Sequence, residues 1–433
     1  MPEEISVKEI KEHIEKHNTE RFLKLMDYYK SDHHGIMHRP IIDHNKPDNR
    51  VVNNFPGYIV DVNLGYFLGK PVTYNSLNEE FIKVLDDIFK YNDEQDENIE
   101  LAKAAGMKGT AFELLYFDDD AQLRFGVIDP ENMIMVYDNS IIPEPLYAIR
   151  YWYENEGKSL KAELYTADKI VFYESSSGGT LIEIEEMDHP FQDVPVIEFL
   201  NNDEGLGDFE RVLTLIDAYD FSQSDTANDF EYFADAYLKI KNMGATDQET
   251  IDSMKRNRAI LLHGDGDADW LIKNQDYSGT EAYKNRLVDD IHKFSKTANL
   301  TDEKFAGNLS GVALQYKLWG MEQNTAQKER KFKRGIQRRI ELICNYLSTI
   351  GTQYDWRDIN IQFTRNIPEN IGEIVGITRD LRGLVSDTTL LSILPFIDDP
   401  EYERLKLKEE QDEVIDLAEF MKSGDEKEDE EEV

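Results

Sequence analysis

Apolar residues recur at helical spacing from residue 5 to 30, where Ile5, Ile10, Ile14, Phe22, Leu25 and Tyr28 predict helices. Residues 31–57 are rich in His, Pro, Asn and Gly and read as a loop. An apolar stretch from Tyr58 to Phe67 runs into Gly69-Lys70-Pro71, and helices are predicted over about 77–91 and 97–105. From Gly109 to about Phe199 the period shortens. AFELLYF, LRFGVID, MIMVYD, YAIRYWYE, KAELYT, KIVFYE and LIEIEE are rich in β-branched and aromatic residues. They are separated by turn formers at Asp118-Asp119-Asp120, Asp129-Pro130, Asn155-Glu156-Gly157 and Ser177-Gly178-Gly179, which predicts one antiparallel meander. A long helix is predicted over about 208–241. A small insert with strands AILLHG and WLIKN follows at about 245–279, and a second helix covers about 280–296. After a break at Asn299–Gly311, the longest helix is predicted over 312–349, a strand over 359–364, and helical segments to about 422. The end, GDEKEDEEEV, has no apolar anchor and is expected to be disordered. No solenoid-period repeat is present.

The chain has 433 residues, 40% of them hydrophobic, enough for a sizeable core and for two to four modules. Acids outnumber bases by 87 to 48, a formal charge of −39, which argues against tight wrapping of nucleic acid. An acidic surface does suit a DNA-facing wall that must not stick. The single Cys344 lies in the apolar-periodic run Ile340-Ile343-Leu347 and reads as a small buried hydrophobe. One cysteine allows no intrachain disulfide, which suits a reducing cytoplasm. The start, MPEEISVKEI, lacks the apolar core of a signal peptide, and no run approaches the roughly 18 apolar residues of a membrane span, so no membrane role is expected.

Motifs for catalysis are near-misses. Gly65-Tyr66-Phe67-Leu68-Gly69-Lys70-Pro71 resembles a phosphate loop, but the first glycine is one residue too close and Pro71 stands where a magnesium-binding hydroxyl belongs. A structural turn is the better reading, so ATP-driven work would fall to another protein. His33, His34, His38 and His44 gather with Asp32 and Asp43, yet no i, i+4 histidine pair encloses a general base, and a polar loop is expected. Asp265, Asp267 and Asp269 start like a calcium loop, but its sixth position is Trp270 and its twelfth Asp276, so a hairpin tip fits better. No nucleophile elbow or zinc spacing appears; no metal, cofactor or catalytic residue is expected.

Charge patterning is more informative. From Asp208 to Leu238 there are eight acids (208, 210, 217, 220, 225, 229, 231, 235) against Arg211 alone. From Lys328 to Arg339 there are seven bases (328, 330, 331, 333, 334, 338, 339) against Glu329. These are either two solvated faces or two helices that pair across subunits. The second reading makes Asp217, Asp225, Asp229, Lys331, Arg334 and Arg338 candidate intersubunit residues.

The order of these pieces resembles the portal proteins of tailed phages infecting Gram-positive bacteria. The stretches that carry the resemblance are NNFPGYIVDVNLGYFLGKPVTY (53–74), GTAFELLYFDDD (109–120), DFERVLTLIDAYDFSQSDTANDFEYFADAYL (208–238), NLTDEKFAGNLSGVALQYKL (299–318), KERKFKRGIQRRIELI (328–343) and INIQFTRNIPEN (359–370). The resemblance implies an α+β portal fold. It assigns 1–207 to a wing with the meander, 208–241 and 280–297 to stem helices, and 242–279 to a small α/β clip. It assigns 298–311 to a tunnel loop, 312–375 to the wing's long helix and strand, 376–422 to a helical crown, and leaves 423–433 as an acidic tail.

The same resemblance implies a ring, dodecameric in the family, at one capsid vertex of the virion, assembled in the host cytoplasm. Double-stranded DNA would pass through it. Terminase large subunit and a head-completion adaptor would dock on it, with scaffold and major capsid protein as further partners. Asp302, Glu303, Lys304, Phe305, Ala306, Gly307 and Asn308 become the DNA-facing tunnel-loop candidates. Lys255, Arg256, Arg258, Asp265, Asp267, Asp269 and Trp270 become the clip-docking candidates. Competing readings are a metal-dependent nuclease built on the acids at 118–120 or 265–269, and another head protein such as a scaffold or minor capsid component. The nuclease lacks a basic or histidine partner motif, and a scaffold would not need the strands of 109–199.

Overall fold

A computed structural model describes residues 5–41, 43–44, 46–154, 159–175, 180–234, 237–241, 247, 249, 251–253, 267–271, 277–301, 311–367, 371–394, 397 and 400–408. The chain divides into two compact units, Met1–Asp302 with Lys317–Asn366, and Glu303–Tyr316 with Ile367–Val433. Helices and antiparallel strands make an α+β fold.

The first unit opens with α1 (Val7–Lys16) and α2 (Thr19–Tyr29). A capping box starts α1: Glu9 N donates to Ser6 Oγ (3.3 Å) and Ser6 N donates to Glu9 Oε2 (2.8 Å). The loop expected at 31–57 is interrupted by the short α3 (His34–Met37), and α4 (Phe55–Leu68) begins inside it. Asn54 Oδ1 caps Gly57 N (2.8 Å) and Pro56 sits in the first turn, so residues that signal a loop here start a helix. Gly65 therefore lies within a helix and not in a turn. α5 (Glu79–Asn92) and α6 (Glu94–Lys108) follow the short strand β1 (Thr73–Asn75). Gly109 ends α6 at φ 90°, where an added Cβ would lie 2.0 Å from the Gly205 carbonyl oxygen.

The strand region is not one meander. β2 (Thr110–Phe117), β3 (Leu123–Ile128) and β9 (Val196–Leu200) form a three-stranded sheet in the order β3-β2-β9. β4 (Met133–Tyr137), β5 (Pro145–Glu154), β6 (Ser159–Tyr165), β7 (Lys169–Ser175) and β8 (Ile182–Asp188) form a separate five-stranded meander. A 3-10 turn at Pro130–Asn132 separates the two sheets, and β9 returns to pair with β2. Phe112, Leu114, Met133, Ala148, Tyr165, Val194 and Val196 form the core between them. Ile10 and Ile14 of α1 pack on the meander with Ile149, Leu164 and Tyr173. The Asp118 turn behaves as expected: Asp118 Oδ1 accepts from Asp120 N (3.1 Å) and Gln122 N (2.9 Å). The turns at 155–157 and 177–179 lie outside the described residues.

After a 3-10 turn at Glu210–Val212, α7 (Leu213–Ala234) is shorter than the helix expected over 208–241. Residues Tyr237–Lys241 form β10, antiparallel to β11 (Asp267–Leu271). The alternation Tyr-Leu-Lys-Ile-Lys fits a strand once a partner is present. Asp267 and Asp269 thus lie in a strand and not at a hairpin tip; AILLHG falls outside the described residues. α8 (Tyr277–Ser295) and the 39-residue α9 (Gly311–Thr349) match their predictions closely, and β12 (Asn360–Gln362) pairs with β1. Buried Phe332, Ile336, Ile340, Ile343 and Leu347 of α9 anchor the largest core, with Phe81, Leu85, Leu115 and Phe199. Gly335 lets α9 approach β9, since a Cβ there would lie 2.4 Å from the Phe199 ring. Cys344 is buried as expected, and burial pushes its thiol up to about 12.

The second unit contains α10 (Ile371–Leu381) and α11 (Asp387–Ser392), and residues 400–408 are helical. Among its described residues Leu390 alone is buried. The remainder of the expected helical segment, to 422, lies outside the described residues.

Burial and the neighbouring Glu113 and Glu100 push the Glu97 carboxyl up to about 7, and its buried Oε2 has no hydrogen-bond partner. The ordinary value is 4.5, so between pH 4.5 and about 7 the folded chain holds a proton the unfolded chain has lost. Stability therefore falls as pH rises through that window. Glu97→Gln is expected to raise stability at pH 8 by on the order of 1 kcal/mol after screening, with no gain at pH 4. Urea unfolding at the two pH values checks this, and an equal effect at both would refute it.

Candidate functional site

The basic segment 328–339 is described throughout and the acidic segment 208–238 in all but residues 235 and 236, and most of the described charges find partners within the same chain. α7 presents Asp220, Ser224 and Asn228, each four residues apart, to the extended segment 49–53. Asp220 Oδ1 accepts from Asn53 N (2.9 Å), Ser224 Oγ from Val51 N (2.9 Å), and Asn228 Oδ1 from Asn49 N (2.6 Å). Four helical residues rise about 6 Å and two extended residues about 6.6 Å, so alternate strand amides stay in step with one helix face. Asp217 accepts from Tyr28 Oη (2.8 Å), Asp225 lies 3.4 Å from Arg39, and Glu231 accepts from Asn49 Nδ2 (2.6 Å). Asp229 is half-buried on the same helix and also has a contact. The acids of α7 thus hold the segment read as a loop.

Beneath this ladder, His33 and Asp220 are fully buried and 2.5 Å apart, while His33 Nε2 donates to the Tyr28 carbonyl (3.0 Å). The histidine cluster is thereby split. His34 bonds Asp27 (2.9 Å), and His38 lies 3.6 Å from Asp32. Among the described residues, Asp27, Asp32 and His34 bring ligand-type atoms within 4.8 Å of one another, all three half-exposed.

The bases of α9 are also engaged. Lys328 meets buried Asp208 (2.5 Å), Lys331 pairs with Asp203, and Lys333 donates to the Ile361 carbonyl (2.9 Å). Arg338 Nη1 bonds Glu341 (2.8 Å), and its Nη2 lies 2.6 Å from Asp193 but out of line for a hydrogen bond, so that contact is electrostatic. Arg339 is fully buried. It donates to both oxygens of Glu113 (2.8 and 2.6 Å), to Asn98 (2.9 Å) and to Glu94 (3.2 Å), and stacks 4.6 Å from the Phe125 ring. Burial lowers the guanidinium's pKa and Glu113 raises it, with the net shift upward. Arg330 and Arg334 remain: both are exposed, and neither forms an ion pair or hydrogen bond among the described residues. Of the intersubunit candidates, Lys331 and Arg338 are therefore already paired in the chain, Arg334 is open, and Arg330 was missed because sequence does not show which of seven bases face outward.

The expected tunnel-loop residues Asp302, Glu303, Lys304, Phe305, Ala306, Gly307 and Asn308 lie outside the described residues, as do Lys255, Arg256, Arg258 and Asp265 of the expected clip. Asp267, Asp269 and Trp270 lie in β11, in register with Lys241, Lys239 and Leu238 of β10. The near-miss phosphate loop is the last turn of α4, with Gly69 at its C-cap in right-handed helical conformation. Such a helix C-terminus directs carbonyls outward and does not cradle phosphate. No described helix is long and apolar enough to cross a membrane.

The chain is 26% identical to the portal protein of Bacillus phage SPP1, over 93% of this chain and 86% of that one. It is 28% identical to the portal protein of Clostridium phage phiCD119 over 84% and 85% of the two chains. Similar solved structures include a chain from the neck of a native GTA particle computed with C12 symmetry (12% identity, TM-score 0.45, covering 86% of this chain and 93% of that one). Another is a chain from the neck of an empty GTA particle computed with C6 symmetry (12% identity, TM-score 0.46, the same coverage). The family described as phage portal protein, SPP1 Gp6-like, matches residues 8–416, and the chain belongs to it.

Proposed function

We propose that this chain is the repeating subunit of a closed ring at one vertex of a phage head, dodecameric as the family resemblance implies, through which double-stranded DNA enters and leaves. The observation that carries the reading is the family match over residues 8–416, nearly the whole chain. The formal charge of −39 supports it physically. Carboxylates lining a bore repel phosphate within a Debye length of about 8 Å, which gives passage without adhesion. The work of translocation then belongs to a docked terminase, and the clip segment at 242–279 is the proposed seat for it and later for a head-completion adaptor. The second unit, with one buried apolar residue among those described and Val375, Ile377, Leu384, Tyr402 and Leu405 exposed, suits a crown covered by its neighbours. Scaffold and major capsid protein remain the proposed outer partners, met in the host cytoplasm.

The role is structural and not catalytic, a reading supported by the helical state of Gly65–Leu68. Purified protein is expected to form closed rings with a central hole in electron micrographs, and to turn over neither ATP nor DNA in the presence of Mg²⁺. Monomers at all concentrations, or hydrolysis lost on Lys70→Ala or Asp267→Ala, would overturn this function.

We place Asp302 to Asn308 at the bore, where Lys304 is the only base between Ala298 and Tyr316 and would touch the DNA backbone without reading bases. Lys304→Ala and Phe305→Ala are each expected to leave head assembly intact and reduce the DNA packaged. A photoreactive residue at 304 is expected to form DNA adducts in filled heads; adducts to capsid protein alone would refute the placement.

A further inference from the structure

We propose that an exposed stripe on α9 docks against edge strand β8 of a second copy of this chain; the inference rests on the ring reading above and names the surfaces that would close it. The stripe is Trp319, Gln323, Gln327, Arg330 and Arg334, all exposed and spaced three or four residues apart, so they share one helix face. Trp319 is 60% exposed, and the two arginines are the bases of the 328–339 run that form no ion pair or hydrogen bond among the described residues. A large aromatic beside unpaired guanidinium groups is the composition of an interface anchor.

β8 offers the complement. It is the outermost strand of the five-stranded sheet, pairs only with β7 among the described residues, and is exposed at all seven residues. Ile182 and Ile184 are 67% and 60% exposed, and Met187 is 48% exposed. Glu183, Glu185 and Asp188 form no ion pair among the described residues, whereas Glu186 is taken by Lys169 (2.5 Å). The register shift opposite Phe172/Tyr173 leaves Ile184 without a paired residue on β7. A bulge and a row of acids discourage addition of another strand, so the fitting occupant is a helix that brings basic side chains and an apolar anchor. The lengths agree: the stripe spans about 22 Å from residue 319 to 334, and β8 about 20 Å. The two surfaces are different patches of one chain, so the contact is head-to-tail, the kind that closes rings.

The test uses the full-length chain. Arg330→Glu with Arg334→Glu should reduce the ring fraction in sedimentation velocity by about tenfold, on the scale of losing two exposed charge pairs at each contact. Far-ultraviolet circular dichroism should be unchanged, because both side chains are exposed. Adding Glu183→Arg and Glu185→Arg to the same chain should restore rings. Independently, a benzophenone side chain at Gln327 should cross-link to the 182–188 peptide of another copy. Undiminished rings in the double reversal, no rescue by the fourfold variant, or adducts mapping elsewhere would each overturn the proposal. Wild-type protein without rings would instead sink the ring reading itself, so the two failures are distinguishable.

Discussion

Replacing Arg339 by methionine is expected to lower the unfolding free energy by about 3–5 kcal/mol, because a buried charge pair is then broken from one side. The guanidinium is fully buried, and it donates four hydrogen bonds, two to Glu113, one to Glu94 and one to Asn98. Burial already drives the Glu113 carboxyl up, and Arg339 is what holds it back. Without the arginine, Glu113 must bind a proton or remain as an unpaired charge in the core. The double variant Arg339→Met with Glu113→Gln should recover part of the loss, since it removes the stranded charge. Urea unfolding at fixed subunit concentration measures both. A loss under 1 kcal/mol for the single variant would mean that water or another base reaches Glu113.

Asp220→Ala is expected to release the segment 33–53 from α7 and to cost about 3 kcal/mol, the scale of leaving buried donors unsatisfied. Asp220 takes His33 Nδ1 on one oxygen and Asn53 N and Nδ2 on the other. His33 Nε2 faces the Tyr28 carbonyl, so both ring nitrogens point at acceptors. Truncation leaves a buried imidazole with one empty side. Hydrogen exchange at Val51 and Asn53 is the local readout. It should rise strongly in Asp220→Ala and less in Ser224→Ala, which removes one neutral bond. Unchanged protection at those amides would show that the segment is held by something other than the α7 side chains.

The charge runs show how far the sequence could be read. Their existence was plain, and so was their helical setting. Pairing between subunits was one of two readings, and for most of these residues the chain itself supplies the partner. Lys328 meets Asp208, which is 120 positions away, and Arg339 meets Glu113, which is 226 positions away. No local pattern encodes such pairs, so the two bases left over, Arg330 and Arg334, emerge only when the others are subtracted.

The local elements and their order follow from short-range patterns along the chain. Helical periodicity placed the 39-residue helix to within one residue, and β-branched and aromatic runs bounded by turn formers located the strands of the meander. Both signals arise from burying one face of a regular backbone, so they are written at short range. What those elements pair with depends on contacts between distant parts of the chain. β9 returned to β2 and divided one expected meander into two sheets. Residues 237–241 left a helical pattern for a strand because β11 offers a ladder. Segment 49–53 became ordered because α7 accepts its amides at matching spacing. Each of these outcomes satisfies backbone or charged groups with partners distant in the chain, and that information resides in the assembled fold.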